Sequence, residues 1–282
     1  MIIGECGCII ELVMHMKSNV NVERIVYTSP TKMPKMHFHE KHELYYLEKG
    51  RAKYFIENEI YQLEAGDMVF VPKGTFHKNN SDDGKNGVER LLFVFGADFL
   101  GPDAEKYIDE MKRNKLIRVN KETLHKLKDI FVKIESEDKK RDPDYRELER
   151  LYLMELLILI SRHRIKDAPT TLKPTHHIIQ DAAKYISENY ASELTLQSLS
   201  EIFAMSPGHF SKQFKKITGV GLNEYINIAR ISAAEQMLAK TNMSITAIAR
   251  ECGFNDSNYF AAVFKRIKGI TPKKFSMISV KS

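Results

Sequence analysis

Cysteine is scarce in this sequence of 282 residues: there are three, Cys6, Cys8 and Cys252, and no repeated Cys-x-x-Cys spacing. An odd number without a framework excludes a disulfide scaffold and points to a reducing, cytoplasmic location. Long apolar runs are also missing, since nothing approaches the roughly 18 residues that a membrane helix requires, so no membrane partner is expected. The first sixteen residues carry Glu5 and Glu11 and no leading basic segment, which does not read as a signal peptide. Met14 and Met16 are alternative starts. Beyond one group of histidines no second catalytic constellation stands out, so no enzymatic activity is expected.

What is present is ordinary globular material, 43% hydrophobic and 28% charged, in a chain long enough for two cores. The net charge of +6 is unevenly placed. Residues 177–282 hold 13 Lys and Arg against 8 Asp and Glu, and the first 176 hold 30 against 29. Basic charge gathered in one domain suits a phosphate backbone, because each neutralised phosphate releases counterions. A solvated basic face explains the charge alone equally well.

Between residues 20 and 97, short β-rich runs alternate with turn signals, at 44–47, 53–56, 60–63, 68–71 and 91–95. This spacing predicts a barrel or sandwich. The period then changes. Leu124, Leu127, Ile130, Phe131 and Ile134 form one helical stripe, and a second helix is expected over about 144–164. Nine of the ten residues 151–160 are apolar or aromatic, so this helix must be covered on more than one side. We expect one face against the barrel and another against a second subunit, with burial inside a single chain as the alternative. Residues 166–175, with two prolines and two threonines in the stretch KDAPTTLKP, read as a linker. The resulting plan is 1–101 for the barrel, 102–165 for a helical dimerisation region, 166–175 for the linker and 176–282 for an all-α domain. The fold class is α+β with two domains.

The last hundred residues contain an internal repeat. Phe210-SKQ-Phe214-Lys215-Lys216-IT-Gly219 recurs fifty residues later as Phe260-AAV-Phe264-Lys265-Arg266-IK-Gly269, while the preceding helices match at an offset of 49. One extra residue in the second turn accounts for the shift. Each copy reads as a helix, a short turn and a second helix, the first helices at 198–204 and 246–252. Ser206 with Pro207, and Asp256, supply helix starts, and Gly253 supplies a left-handed stop. Such a pair is a helix-turn-helix, whose second helix enters the DNA major groove with its N-terminal residues. A helical scaffold without DNA contact is the bland reading, disfavoured by the basic residues Lys212, Lys215, Lys216, Lys265 and Arg266. The intervening stretch 222–239 carries Leu222, Ile226, Ala229, Ala233 and Met237 on one face. It predicts a connecting helix of roughly 25 Å, suited to two readers near the roughly 34 Å repeat of the groove.

These spacings resemble the DNA-binding domain of the AraC/XylS family. The matching residues are Ser206-Pro207-x-His209-Phe210-Ser211-x-x-Phe214-Lys215-x-x-x-Gly219, Ile248-Ala249-x-x-x-Gly253-Phe254-x-Asp256 and Tyr259-Phe260-x-x-x-Phe264-Lys265-x-x-x-Gly269-x-x-Pro272. The resemblance implies that Phe210, Phe214, Phe254, Phe260 and Phe264 are core. It places Gly208, Ser211 and Lys212 on base edges in the first unit and Ser257, Asn258, Ala261 and Ala262 in the second. Many relatives carry Arg where Ala262 stands, and an Arg near Ser276, which weakens base readout by the second unit. The expected DNA-binding set is Ser206, Gly208, His209, Ser211, Lys212, Lys215, Lys216, Ser257, Asn258, Ala261, Lys265 and Arg266. The resemblance also implies activation of transcription and contact with RNA polymerase.

Near the N-terminus, His37-x-His39-x-x-x-Glu43 puts three side chains on one face if the run is a strand, and Pro72-x-Gly74-x-x-His77 adds a third imidazole. His37, His39, Glu43 and His77 are donors that suit a divalent metal, zinc, iron, manganese or nickel. With Gly50 and Gly66 the spacing resembles the cupin signature, although the glycine before the first histidine is absent and Asn80 falls one place short. The resemblance implies a cupin barrel used for effector binding. His37, His39, Glu43, Tyr45 and His77 are then the effector set, with Tyr45, Tyr54 and Phe76 suiting a sugar. Metal binding, a metal-free effector pocket and a purely structural role all remain open at this point. The function expected is a homodimeric regulator binding double-stranded DNA and a small molecule, and the alternative is a metal-dependent cupin enzyme fused to a DNA-binding domain.

Overall fold

The computed structural model describes residues 20–27, 37–39, 41–81, 87–165 and 174–279. Cys6, Cys8, Met14, Met16, Met36, Glu40 and most of the expected linker lie outside the described residues. The chain divides into two compact units between Leu172 and Lys173.

The first unit is two antiparallel sheets and a helical layer. Its strands are β1 (Val20–Tyr27), β2 (His42–Lys49), β3 (Arg51–Ile56), β4 (Glu59–Glu64), β5 (Met68–Val71), β6 (His77–Ser81), β7 (Val88–Phe95) and β8 (Leu116–Ile117). One sheet has the order β1-β7-β2-β5-β8 and the other β4-β3-β6. The helices are α1 (Ala97–Leu100), α2 (Glu105–Arg113), α3 (Lys121–Lys140) and α4 (Tyr145–His163). All five expected runs are strands. The other three strands are β1, ahead of the first expected run, and the polar run β6 and two-residue β8, which carry no apolar alternation.

The larger sheet is buried on both faces, and the period of two sorts its side chains cleanly. Tyr45, Leu47, Val69, Val71, Leu92 and Val94 pack inward with Ala52, Tyr54 and Ile56 of the facing sheet. Leu44, Tyr46, Met68, Phe70, Leu91, Phe93 and Phe95 pack outward against Leu127, Ile130, Phe131 and Ile134 of α3 and Leu153, Leu156, Leu157 and Ile160 of α4. Arg24 reinforces this outer layer: it leaves β1 to meet Glu135 of α3 at 2.9 Å, Glu89 at 2.8 Å and Glu48.

The apolar helix around 151–160 is therefore covered mainly from within its own chain. Leu156 and Leu157 are fully buried, and α2 and α3 pack on α4. This corrects the expectation that these residues face a second subunit: the helix is apolar nearly all round because sheet and helices both touch it. Leu151 of α4 and Val132 of α3 are the apolar side chains left exposed there, at 49% and 61%.

The second unit holds α5 (Pro174–Glu188), α6 (Leu196–Ile202), α7 (Pro207–Thr218), α8 (Leu222–Lys240), α9 (Ile245–Glu251), α10 (Ser257–Lys268) and α11 (Pro272–Ser279). Helix α5 begins two residues before the expected domain start at 176. The first helix of each repeat also begins earlier than expected. Thr195 and Ser198 form a reciprocal capping box that starts α6 at Leu196, and Ser244 caps α9. Four residues separate α6 from α7, and five separate α9 from α10, which is the one-residue insertion visible in the repeat. Helix α8 is as long as expected but is not one-faced. Tyr225, Ile228, Ile231, Ala234 and Leu238 are buried along with Leu222 and Ile226, because α5, α7, α9, α10 and α11 all pack around it.

Candidate DNA interface and barrel site

In both helix-turn-helix units a row of phenylalanines fixes which face of the second helix turns outward. Phe210 and Phe214 of α7 are fully buried, stacked 5.6 Å apart, with Tyr225 of α8 meeting Phe214 at 5.2 Å. Phe260 and Phe264 of α10 take the same places, edge to face at 5.8 Å, with Phe254 and Phe275 packed against them. The opposite face of α7 carries Gly208, Ser211, Lys212 and Lys215 at i, i+3, i+4 and i+7, all exposed. On α10 the same places are Asn258, Ala261, Ala262 and Lys265, with Ala261 half-buried.

The N-terminal turns of these helices differ. Ser206 is the N-cap of α7 but its side chain makes no capping bond, whereas the Asp256 carboxylate accepts from the Asn258 amide at 2.8 Å. Ser206 and His209 are exposed at the start of α7 and Ser257 is half-buried at the start of α10. Lys215, Lys216, Lys265 and Arg266 are exposed in the last turns, where they also complement the helix dipole. Ten of the twelve residues expected to bind DNA fall on the two outward faces or their first turns, and Lys216 and Arg266 lie on the flank in the last turns. Lys268 is turned away and pairs with Glu235 of α8.

The inner side of the barrel gathers a polar cluster. His37 is held by an isolated antiparallel bridge to His77, with the two backbone N–H···O bonds at 3.1 and 2.9 Å, so the run 37–43 is not the single strand that was expected. His39 is tied instead through its carbonyl to the Gly74 amide at 2.8 Å. The bridging geometry nevertheless brings the three imidazoles together, with ring centres 4.2 Å apart for His37 and His77 and 5.0 Å for His39 and His77.

Glu43 lies at the centre of the cluster, 3% exposed. It accepts from Tyr54 Oη at 2.9 Å and from His39 Nε2 at 3.0 Å, and His77 Nε2 stands 3.5 Å away. Burial alone would raise its pKa, but the charge and hydrogen bonds of the histidines outweigh that and hold it well below the carboxylate range. His39 has Lys41 O 2.7 Å from Nδ1 and Glu43 at Nε2, acceptors on both ring nitrogens. Burial opposes its charge, yet the Glu43 bond prevails and raises its pKa, and acceptors at both ring nitrogens favour the protonated ring. His77 donates Nδ1–H to Thr75 O at 2.9 Å, which aims Nε2 at the cluster.

His42 has a different role. It points outward, stacks on Phe70 at 5.3 Å and accepts the Lys73 amide on Nδ1, and burial pushes its pKa down to about 4.

Tyr45 is fully buried, 4.8 Å from the Tyr54 ring, with the Arg90 guanidinium 5.4 Å from its own ring centre. Phe76 lies apart from this set, its ring against Phe38 at 4.9 Å. Asn79 and Arg90 belong to the inner cluster although neither was anticipated. Their signal was the strand period: Asn79 follows His77 by two on β6, and Arg90 precedes Leu92 and Val94 on β7. His77 Nε2, Asn79 Oδ1 and Tyr45 Oη are buried without a partner at hydrogen-bonding geometry, although Asn79 and Arg90 stand near the Tyr45 hydroxyl.

One ligand atom from each of His37, His39 and His77 lies within 4.8 Å of the others. Bonds of about 2.0–2.1 Å to a shared ion would require these atoms to close by an ångström or so. Glu43, the fourth expected ligand, is occupied by His39 and Tyr54.

Comparison with known proteins matches both parts. A helix-turn-helix domain model matches residues 199–277 and a cupin domain model matches residues 25–93. The HTH-type transcriptional activator RhaR of Mannheimia succiniciproducens is 26% identical over 265 residues, 92% of either chain. In both parts the chain is similar to transcription regulators of the AraC/XylS type. RhaS of Enterobacter sp. (strain 638), also an HTH-type transcriptional activator, is 24% identical over 84% of this chain and 86% of its own. Among solved structures, ToxT from Vibrio cholerae O395 covers 94% of this chain and 99% of its own at 12% identity and a TM-score of 0.39. The C-terminal domain of the response regulator yesN from Fusobacterium nucleatum covers 37% of this chain and 99% of its own at 34% identity and a TM-score of 0.34. The chain is a DNA-binding transcription regulator with a cupin domain in front of two helix-turn-helix units. Among the described residues no helix is long and apolar enough to cross a membrane.

Proposed function

We propose that the chain is a cytoplasmic activator of carbohydrate-related genes, without enzymatic activity, whose barrel binds a small polyhydroxylated effector. One observation carries the effector reading. His77 Nε2, Asn79 Oδ1 and Tyr45 Oη are buried with unmet hydrogen-bonding capacity around an ionised Glu43, and buried polar groups are costly unless something satisfies them. A polyol supplies both donors and acceptors to such a set, which includes His37, His39, Glu43, Tyr45 and His77. Activation is supported by the relatives RhaR and RhaS, named as transcriptional activators. DNA recognition would fall to the outward faces of α7 and α10, with Lys212 on a guanine edge and Asn258 on an adenine. Homodimerisation and contact with RNA polymerase belong to the same reading. Effector binding would shift the population between arrangements of the DNA readers.

The test is thermal unfolding of the full chain against a panel of sugars, sugar phosphates and divalent metals, since a ligand of the native state raises Tm by mass action. A sugar shift abolished by Asn79→Ala supports the effector reading. A shift by metal alone would overturn it. The second reading, a metal held by His37, His39 and His77, follows from the proximity of their ligand atoms. It would require His39 to release Glu43. Metal at stoichiometry after purification without added metal, together with substrate turnover, would favour the cupin-enzyme alternative.

A further inference from the structure

Tyr259 is a large aromatic residue left 53% exposed on α10, where its ring neither joins the core nor faces the row Asn258, Ala261, Ala262 and Lys265. It lies on the flank of the helix, two turns before Arg266 on the same side, because seven residues make nearly two turns. The equivalent flank of α7 carries His209 and Lys216, at the repeat offset of fifty. Both groove helices thus present the same edge, one aromatic polar residue followed by a cation.

The Tyr259 hydroxyl is positioned from below. Asn227, 8% exposed on α8, donates Nδ2–H to Tyr259 Oη at 3.2 Å. The Phe254 ring, 6.1 Å away, walls one side and carries the Arg230 guanidinium 5.5 Å from its centre. Arg230 is itself fixed by the carbonyls of Tyr190 at 2.8 Å and Ser192 at 3.1 Å. A phenol that accepts from an amide has its own hydrogen left to donate, and among the described residues no acceptor takes it. The result is an oriented O–H donor at the margin of a groove-entering helix. Contacts there go to phosphate oxygens and carry no sequence information.

We propose that Tyr259, positioned by Asn227, is a phosphate-backbone anchor of the second helix-turn-helix unit. Ala261 and Ala262 offer no hydrogen bonds to base edges, so this unit contributes more to grip than to sequence choice, while the first unit discriminates. The proposal rests on the reading of α10 as a groove helix.

The experiment measures the affinity of the full chain, at fixed salt, for two duplexes: one selected by the protein from a random pool, and one of the same composition scrambled. Tyr259→Phe keeps the ring and removes the donor. We expect about a tenfold loss on both duplexes, as for a hydrogen bond to a charged group. Asn227→Ala should lose less, and the double variant should be no worse than Tyr259→Phe, the coupling expected of a positioning residue. Lys265→Ala separates the two levels of the claim. If Lys265→Ala weakens binding and Tyr259→Phe does not, α10 meets DNA but the anchor is wrong. If neither changes affinity, the groove-helix reading itself fails. A Tyr259→Phe loss confined to the selected duplex would make Tyr259 a specificity residue and overturn the proposal.

Discussion

Ala204 and Gly253 occupy the same place in the two turns, the second residue after α6 and α9 end, and both are left-handed, with φ of 50° and 80°. Glycine adopts this region freely, whereas alanine is strained there by roughly 1–2 kcal/mol. The residues are not interchangeable in the other direction either, since a Cβ on Gly253 would sit 2.7 Å from the Ala191 carbonyl oxygen. Ala204→Gly is therefore expected to stabilise the second unit by about 0.5–1 kcal/mol, the relief of strain less the entropy of glycine, while Gly253→Ala destabilises it. Chemical denaturation of both variants checks the pair; a less stable Ala204→Gly would show that the turn is not strained. Gly253 was legible as a helix stop from its residue type. The identical demand at Ala204 was not, because alanine announces no turn, and the site became visible only when the repeat aligned it with Gly253.

Among the elements, the α3–α4 pair holds an ionisable group in an unfavourable place. Glu149 is 3% exposed, its Oε1 has no partner, and burial, reinforced by Asp138, pushes its pKa up to about 7. A carboxyl whose pKa is raised on folding contributes its full stability below the unfolded value near 4.5 and loses it as pH rises towards 7. Glu149→Gln should remove that decline, so the variant gains stability over the parent at pH 8 and not at pH 4.5, measured by thermal unfolding at each pH. Parallel curves for the two proteins would refute the assignment. Surface and core also separate on these helices. Leu156→Glu is expected to unfold the first unit, while Leu151→Glu is expected to leave it folded and, if α4 meets a second copy, to shift the oligomeric state seen by sedimentation. Periodicity disclosed these helices and five of the strands. It did not disclose how many neighbours each helix has, which is why α8 was read as one-faced and α4 as facing a second subunit. The site was legible in residue type at the histidines, but the isolated bridge that brings His37 to His77 depends on a long-range pairing that local spacing does not encode.

For the whole molecule, the division between Leu172 and Lys173 and the separate core around Ile231, Ile248, Phe260 and Phe264 predict that residues 173–282 fold alone. That fragment should bind duplex DNA with steep salt dependence, log affinity falling linearly with log salt, and without response to any barrel ligand. A fragment that unfolds cooperatively yet shows no salt-dependent binding would place the DNA contacts elsewhere. The first unit has a property of its own that follows from its larger sheet. Arg90 faces the polar cluster, while its neighbours on β7 face the other way: Leu91 packs in the outer core, and Glu89 is bonded to Arg24, which also grips Glu135 of α3. The two compartments are separated by the thickness of a single strand. Arg90, Glu89 and Leu91 are consecutive residues of one strand, so the same stretch of β7 backbone both lines the polar cluster and sets the footing of α3.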